Sequence, residues 1–200
     1  MTTKTTGRKA RVTASPSDQE QAILSAAAAE FAAVGARRAN IDEVAKAAGV
    51  SRSTLYRRFP NKDALLLAVA NKAFEESLSR MVEAVAGLGP KDAVVEAFAA
   101  GAQMVHSDPL MRRMVLEDVD LRTITAVTMS GLFIDMVTAR VADTLRHAGA
   151  TMPDHQLVEA VELHVRLVIS FLEVPSAQPE RQTVEYARHL AATYLAPMIY

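Results

Sequence analysis

The chain has 200 residues, half of them hydrophobic, a formal net charge of −1 and no cysteine. That length buries one sizeable core, or a small and a medium one. The missing cysteines exclude disulfides, thiolate metal sites and cysteine nucleophiles, and they agree with a cytoplasmic setting. Charge is unevenly placed: residues 1–60 hold ten Lys and Arg against five Asp and Glu, and residues 61–200 hold twelve against eighteen. A polyanionic partner is therefore expected at the N-terminal end only. The longest uncharged run, Thr123 to Ile134, has twelve residues, short of the about 20 that a membrane span needs, so no membrane partner is expected.

Apolar residues recur with a helical period and no alternating β-branched run occurs, which predicts an all-α fold of about nine helices. Residues 1–16 carry Lys4, Arg8, Lys9 and Arg11 and no acid. They lack the apolar stretch of a secretory signal and read as a disordered basic arm, either a solvated tail or a segment lying on DNA. A first helix is expected from Ser17, three residues before Glu20 in capping-box spacing. Ile23, Leu24, Ala27, Phe31 and Val34 form its apolar face, and Gly35 is its stop. A second helix, Ile41 to Ala48, is capped by Asn40 and ended by Gly49. A third, Arg52 to Arg58, is capped by Ser51, with Val50 and Leu55 in staple positions, and Pro60 blocks its continuation. The next begins at Lys62 after the cap Asn61 and runs to Ala86, about 37 Å. The boundary between a domain at 17–77 and one at 78–200 is placed within it, near Ser77. Further helices are expected at Lys91–His106, Leu110–Glu117, Ile124–Arg146, Asp154–Leu172 and Pro179–Ala196.

The second and third helices are short, amphipathic and joined by a tight glycine turn, which is helix-turn-helix spacing. Such a turn projects the second helix into a major groove while the first braces it. Leu55 and Phe59 lie four apart and face the core. Arg52, Ser53, Thr54, Tyr56 and Arg57 remain for base edges and phosphates. Lys62, at the start of the following helix, makes a phosphate site, and Asn40 is placed to touch phosphate as well as to cap.

The words carrying these features are "ILSAAAAEFAAVGARRANIDEVAKAAGVSRSTLYRRFPNKDALL". A Phe-x-x-x-Gly end to helix one, an A-x-x-A-G-V-S turn and an L-Y-x-x-F-x-x-K-x-x-L run resemble the DNA-binding domain of the TetR/AcrR family of bacterial regulators. The resemblance covers about a quarter of the chain, Ile23 to Leu66. It implies an N-terminal three-helix helix-turn-helix domain followed by a helical effector-binding and dimerisation domain. It also implies a recognition helix from Ser51 to Phe59, with Arg52, Ser53 and Thr54 reading bases and Tyr56 and Lys62 on phosphates. Two positions depart from the pattern: Asn40 stands where the family usually has Thr, and Arg58 where His or Tyr is common.

In the rest of the chain, the last helix shows an apolar stripe at Val184, Ala187, Leu190, Ala191, Tyr194, Leu195 and Met198. The helix before it is apolar on more than one side (Leu157, Val161, Val165, Val168, Ile169, Leu172), which fits burial between a subunit and its partner or wholly within one subunit. The resemblance implies the first, a homodimer through the last two helices. Met104, Met111, Met114, Phe133 and Met136 are candidate linings of a pocket for an apolar small-molecule effector, with ordinary core packing as the other reading. No metal spacing, cofactor motif or catalytic motif occurs, and no enzyme activity is expected. The expected function is a sequence-specific transcriptional regulator, a repressor released from double-stranded operator DNA by its effector. The alternatives are an all-α interaction adaptor that binds no DNA and a small helical enzyme.

Overall fold

The computed structural model describes residues 15–121, 123 and 131–200, and every regular element among them is helical. The expected basic arm up to residue 14, and residues 124–130 of the expected long middle helix, lie outside the described residues. The helices are α1 (Pro16–Arg38), α2 (Ile41–Ala47), α3 (Arg52–Arg58), α4 (Lys62–Ala84), α5 (Pro90–Ser107), α6 (Pro109–Arg112), α7 (Gly131–His147), α8 (Asp154–Glu173) and α9 (Val184–Leu190). One π turn, Arg113–Glu117, prolongs α6.

The first helix begins earlier than expected. Ser15, not Ser17, is the cap: its hydroxyl accepts from the Asp18 amide at 3.1 Å, and Asp18 accepts from the Ser15 amide at 3.1 Å. Pro16 then occupies the first helical position, where its missing N–H costs nothing and its fixed φ suits the helix. The caps at Asn40, Ser51 and Asn61 form as expected, accepting from the amides of Asp42, Thr54 and Ala64. Helix α4 stops at Ala84 rather than Ala86. The last helix is not continuous. A 3-10 turn (Pro179–Gln182) precedes Thr183, which caps α9. A π turn (Ala191–Leu195) and a 3-10 turn (Ala196–Met198) follow it. The wider π turn carries Tyr194 off the apolar stripe, and it is 66% exposed while Ala191 and Leu195 are buried.

Two cores form. One gathers Ile23, Ala27, Phe31, Val44, Leu55, Leu65 and Val69 from α1–α4. The other joins α5, α7, α8 and the chain after α9 around Val94, Ile134, Leu145, Val161, Leu195 and Ile199. The first core also takes in Leu110, Met111, Met114, Val115 and Leu121, which come from far along the sequence. The region that follows α5 is thus built into the N-terminal head, across the boundary expected near Ser77.

The C-terminal end of α1 fixes this junction. Gly35 leaves the helix at φ 79°, a left-handed value that glycine adopts without steric cost. The chain can then bring the Ala36 amide to Asp118, whose Oδ2 accepts at 2.9 Å. Arg113 donates to the Ala32 and Ala33 carbonyls at 2.6 and 3.0 Å, satisfying acceptors that a helix end leaves without partners. A Cβ at Gly35 would stand 2.6 Å from Asp118 Oδ2. Gly35→Ala is therefore expected to destabilise the protein by about 2–3 kcal/mol, combining a left-handed penalty with the loss of the Asp118 bond. Urea unfolding followed by circular dichroism measures it, and an unchanged midpoint would refute this account of the junction.

Candidate nucleic-acid interface

Helix α3 is held by its apolar side and by its ends. Leu55 and Phe59 are buried, 1% and 7% exposed, and Val50 packs against the same core just before the cap. At the far end Arg58 turns inward to Glu20 of α1, at 2.9 Å. The Arg58 charge, which departs from the family pattern, thus braces α3 against α1.

The outer side carries the remaining residues. Arg52, Ser53 and Arg57 are exposed, and Thr54 and Tyr56 are half-buried. Residues 52 and 56, and 53 and 57, are one turn apart, so the four share one side of the helix. Ser51, besides capping, shares hydrogen bonds of 2.9 Å with the hydroxyls of Ser53 and Thr54, which orders three hydroxyls at the start of the helix. The Arg52 guanidinium lies 5.5 Å from the centre of the Tyr56 ring and donates to Asp42 of α2 at 3.1 Å. An exposed pair of this kind contributes little to stability, but it sets the direction of the arginine before any ligand arrives. Arg57 makes no ion pair among the described residues.

Between α3 and the start of α2 lies an open concavity of about 380 Å³, lined by Arg38, Ala39, Asn40, Ile41, Asp42, Arg52 and Tyr56. It brings two arginines, an amide side chain and a phenol together, a set suited to phosphate oxygens. Sequence reading singled out Asn40, Arg52 and Tyr56 of this group and missed Arg38. The signal was available in the basic Arg37-Arg38 pair at the end of α1, but only the fold shows which of the two faces the concavity.

Lys62 has a structural task. Its ammonium donates to the Arg37 and Ala39 carbonyls at 3.1 and 3.0 Å, tying the α1–α2 connection to the start of α4. Asn40 receives similar support, its amide donating to Glu30 at 2.9 Å.

The candidate effector linings are dispersed. Met111 and Met114 are 5% and 0% exposed inside the head's core. Phe133 packs edge-on against Phe74, centroids 5.9 Å apart. Met104 is half-buried and Met136 is 47% exposed. Among the described residues no group of His, Asp or Glu is placed to hold a metal ion, and no helix is long and apolar enough to cross a membrane.

Comparison with known proteins places this geometry. Residues 23–69 match the family described as bacterial regulatory proteins, tetR family, and residues 90–193 match the bacterial tetracyclin repressor C-terminal domain. The chain belongs to the tetR family. The HTH-type transcriptional regulator RutR of Escherichia coli is 38% identical over 72 residues, 36% of this chain. That match spans about a third of RutR, 32% of its length. The HTH-type transcriptional regulator EthR of Mycobacterium tuberculosis is 28% identical over 202 residues, covering 92% of this chain and 91% of EthR. Among solved structures, the TetR family repressor AlkX of Dietzia superposes with a TM-score of 0.67 at 24% identity, over 88% of this chain and 94% of AlkX, and so shares the tetR fold. The matched N-terminal segment contains α2, the turn and α3 entire, and it places the candidate interface in the family's helix-turn-helix.

The carbonyl contacts of Lys62 generate a prediction. Lys62→Met is expected to lower stability by about 1–2 kcal/mol, since charge-assisted hydrogen bonds are lost at the α1–α2 connection. Thermal unfolding in the absence of DNA measures it. A lysine serving phosphate alone would leave that stability unchanged.

Proposed function

We propose that the chain is a sequence-specific DNA-binding transcriptional repressor acting in the cytoplasm as a homodimer, released from its operator by a small apolar effector. The observation that carries this reading is the outer side of α3, where Arg52, Ser53 and Arg57 are exposed beside a half-buried Tyr56, on a helix braced at both ends within the family's helix-turn-helix. Arg52 and Ser53, with Thr54, are assigned to base edges, Arg52 reading guanine through its paired donors. Tyr56, Arg57, Asn40 and Arg38 are assigned to phosphates, which set register and orientation. Ser51 orders the hydroxyls that start the helix. Lys62 keeps a phosphate role only through a donor left over from its two carbonyls.

Dimerisation is assigned to the last two helices. Leu163 and Phe171 of α8, and Tyr194 and Met198 in the turns after α9, remain exposed, and a self-complementary apolar patch closes naturally about a two-fold axis. Two recognition helices related by that axis would read half-sites about 34–36 Å apart. An effector in the C-terminal domain shifts the dimer away from this spacing only by binding the released state more tightly. The candidate linings Met104, Phe133 and Met136 are assigned to an apolar ligand, and Met111 and Met114, buried in the head's core, to transmitting its occupancy to the head. The EthR match, which runs nearly the full length of both chains, supports a regulator more strongly than a DNA-free adaptor.

Selection of duplexes from a random pool supplies the operator for the test. Arg57→Ala is then expected to weaken binding to all duplexes alike and to reduce the salt slope by about one. Arg52→Ala should instead lose about 1–3 kcal/mol at one base position and relax the preference there. Unchanged affinity in both variants would overturn the placement of α3. In sedimentation velocity, Tyr194→Asp with Leu163→Asp is expected to shift the protein from dimer to monomer, and a dimer that persists would move the interface elsewhere.

A further inference from the structure

Two polar side chains in the C-terminal core have no visible occupation. His164 of α8 is 5% exposed and Thr138 of α7 is 4% exposed, and both His164 Nε2 and Thr138 Oγ1 are buried without a hydrogen-bond partner. Buried polar atoms are almost always paired, and an orphan calls for an explanation. Helices α7 and α8 pack together across the short connection at 148–153, an antiparallel hairpin. Thr138 stands nine residues before the end of α7 and His164 ten after the start of α8, so the two lie within one residue of the same level of the hairpin. Both orphans are thus buried near one level of the core, on neighbouring helices.

The surroundings of that level are apolar. The Phe98 ring of α5 meets His164 edge-on, centroids 6.2 Å apart, and Ile134, Val161 and Val165 belong to the same core. Burial pushes the His164 ring below the ordinary histidine value, while a hydrogen bond with the Leu195 backbone acts in the other direction. The ring is therefore neutral at neutral pH, and with its other nitrogen committed to Leu195, Nε2 is an acceptor. Leu195 closes the π turn after α9, so α5 and that turn both meet α8 at this histidine. A neutral acceptor beside a hydroxyl complements one chemical group well: a ligand hydroxyl donates to the imidazole and accepts from the threonine. An anion would be buried there against no cation among the described residues.

We propose that His164 Nε2 and Thr138 Oγ1 together anchor the hydroxyl of an otherwise apolar effector, such as an alkylphenol or a fatty alcohol. This rests on the reading of the C-terminal domain as effector-binding and specifies the chemistry of that site.

Calorimetric titration of the full chain with 4-butylphenol, butylbenzene and 4-butylbenzoate tests it. The unaltered protein is expected to bind the phenol at least about tenfold more tightly than butylbenzene, the value of two satisfied buried polar groups. Thr138→Val, which keeps the side-chain shape, and His164→Phe, which keeps a ring, should each bring that ratio close to one while leaving butylbenzene binding in place. A ratio near one in the unaltered protein, as an ordered water on both atoms would give, overturns the proposal. So does absence of phenol binding, a ratio preserved in either variant, or a preference for the benzoate. The same proteins are assayed on the selected duplexes without ligand, where both variants should bind as the unaltered chain does. Failure to select any duplex would refute the repressor reading and leave the phenol ratio to decide the anchor by itself.

Discussion

The structure depends most on how the C-terminal end of α1 is satisfied. A helix ends with carbonyls that have no partner within it, and here they are met from three directions. Arg113 takes Ala32 and Ala33, Arg38 takes Val34, the Ala39 amide takes Gly35, and Lys62 takes Arg37 and Ala39. Cations at this end also oppose the negative pole of the helix. Without the left-handed turn at Gly35, neither the Asp118 contact nor the approach of α2 would form.

From that point the order passes to the interface. The α1–α2 connection sets the start of α2 through Asn40, and α2 with the glycine turn sets α3. Arg58 and Glu20 close the circuit by returning the far end of α3 to α1. The exposed arginines of α3 are thus presented by a frame with few loose joints, which is what a contact needing sub-ångström placement requires. The same end of α1 receives Arg113 and Asp118 from the segment after α5. On the proposed reading, any movement of that segment reaches the head through carbonyls and amides, not only through side-chain packing.

Much of this was legible in the sequence. The helix-turn-helix was readable because its signals are local: Asn40, Ser51 and Asn61 cap amides two or three residues away, and Leu55 and Phe59 repeat at one turn. Helix α1 was misplaced at its start because Ser17 with Glu20 has the same spacing as Ser15 with Asp18, and only the preference for proline at the first helical position separates them. The role of Lys62 was hidden because its acceptors lie at the end of α1 and in the connection after it, and its own position says only that a cation begins α4. Met111 and Met114 were legible as pocket lining or core, but not the element they would meet. The break after α9 was invisible because a π turn keeps helical composition while shifting the side that faces inward.

The shared core has a further consequence for modularity. Leu110, Met111, Met114, Val115 and Leu121 complete the head from the other half of the chain. A fragment cut at Ser77 would leave the apolar sides of α1 and α4 facing water where those residues had been. The head of this chain is therefore not a separable bead on a string: a chimera must carry the stretch from 109 to 121 with the head it completes.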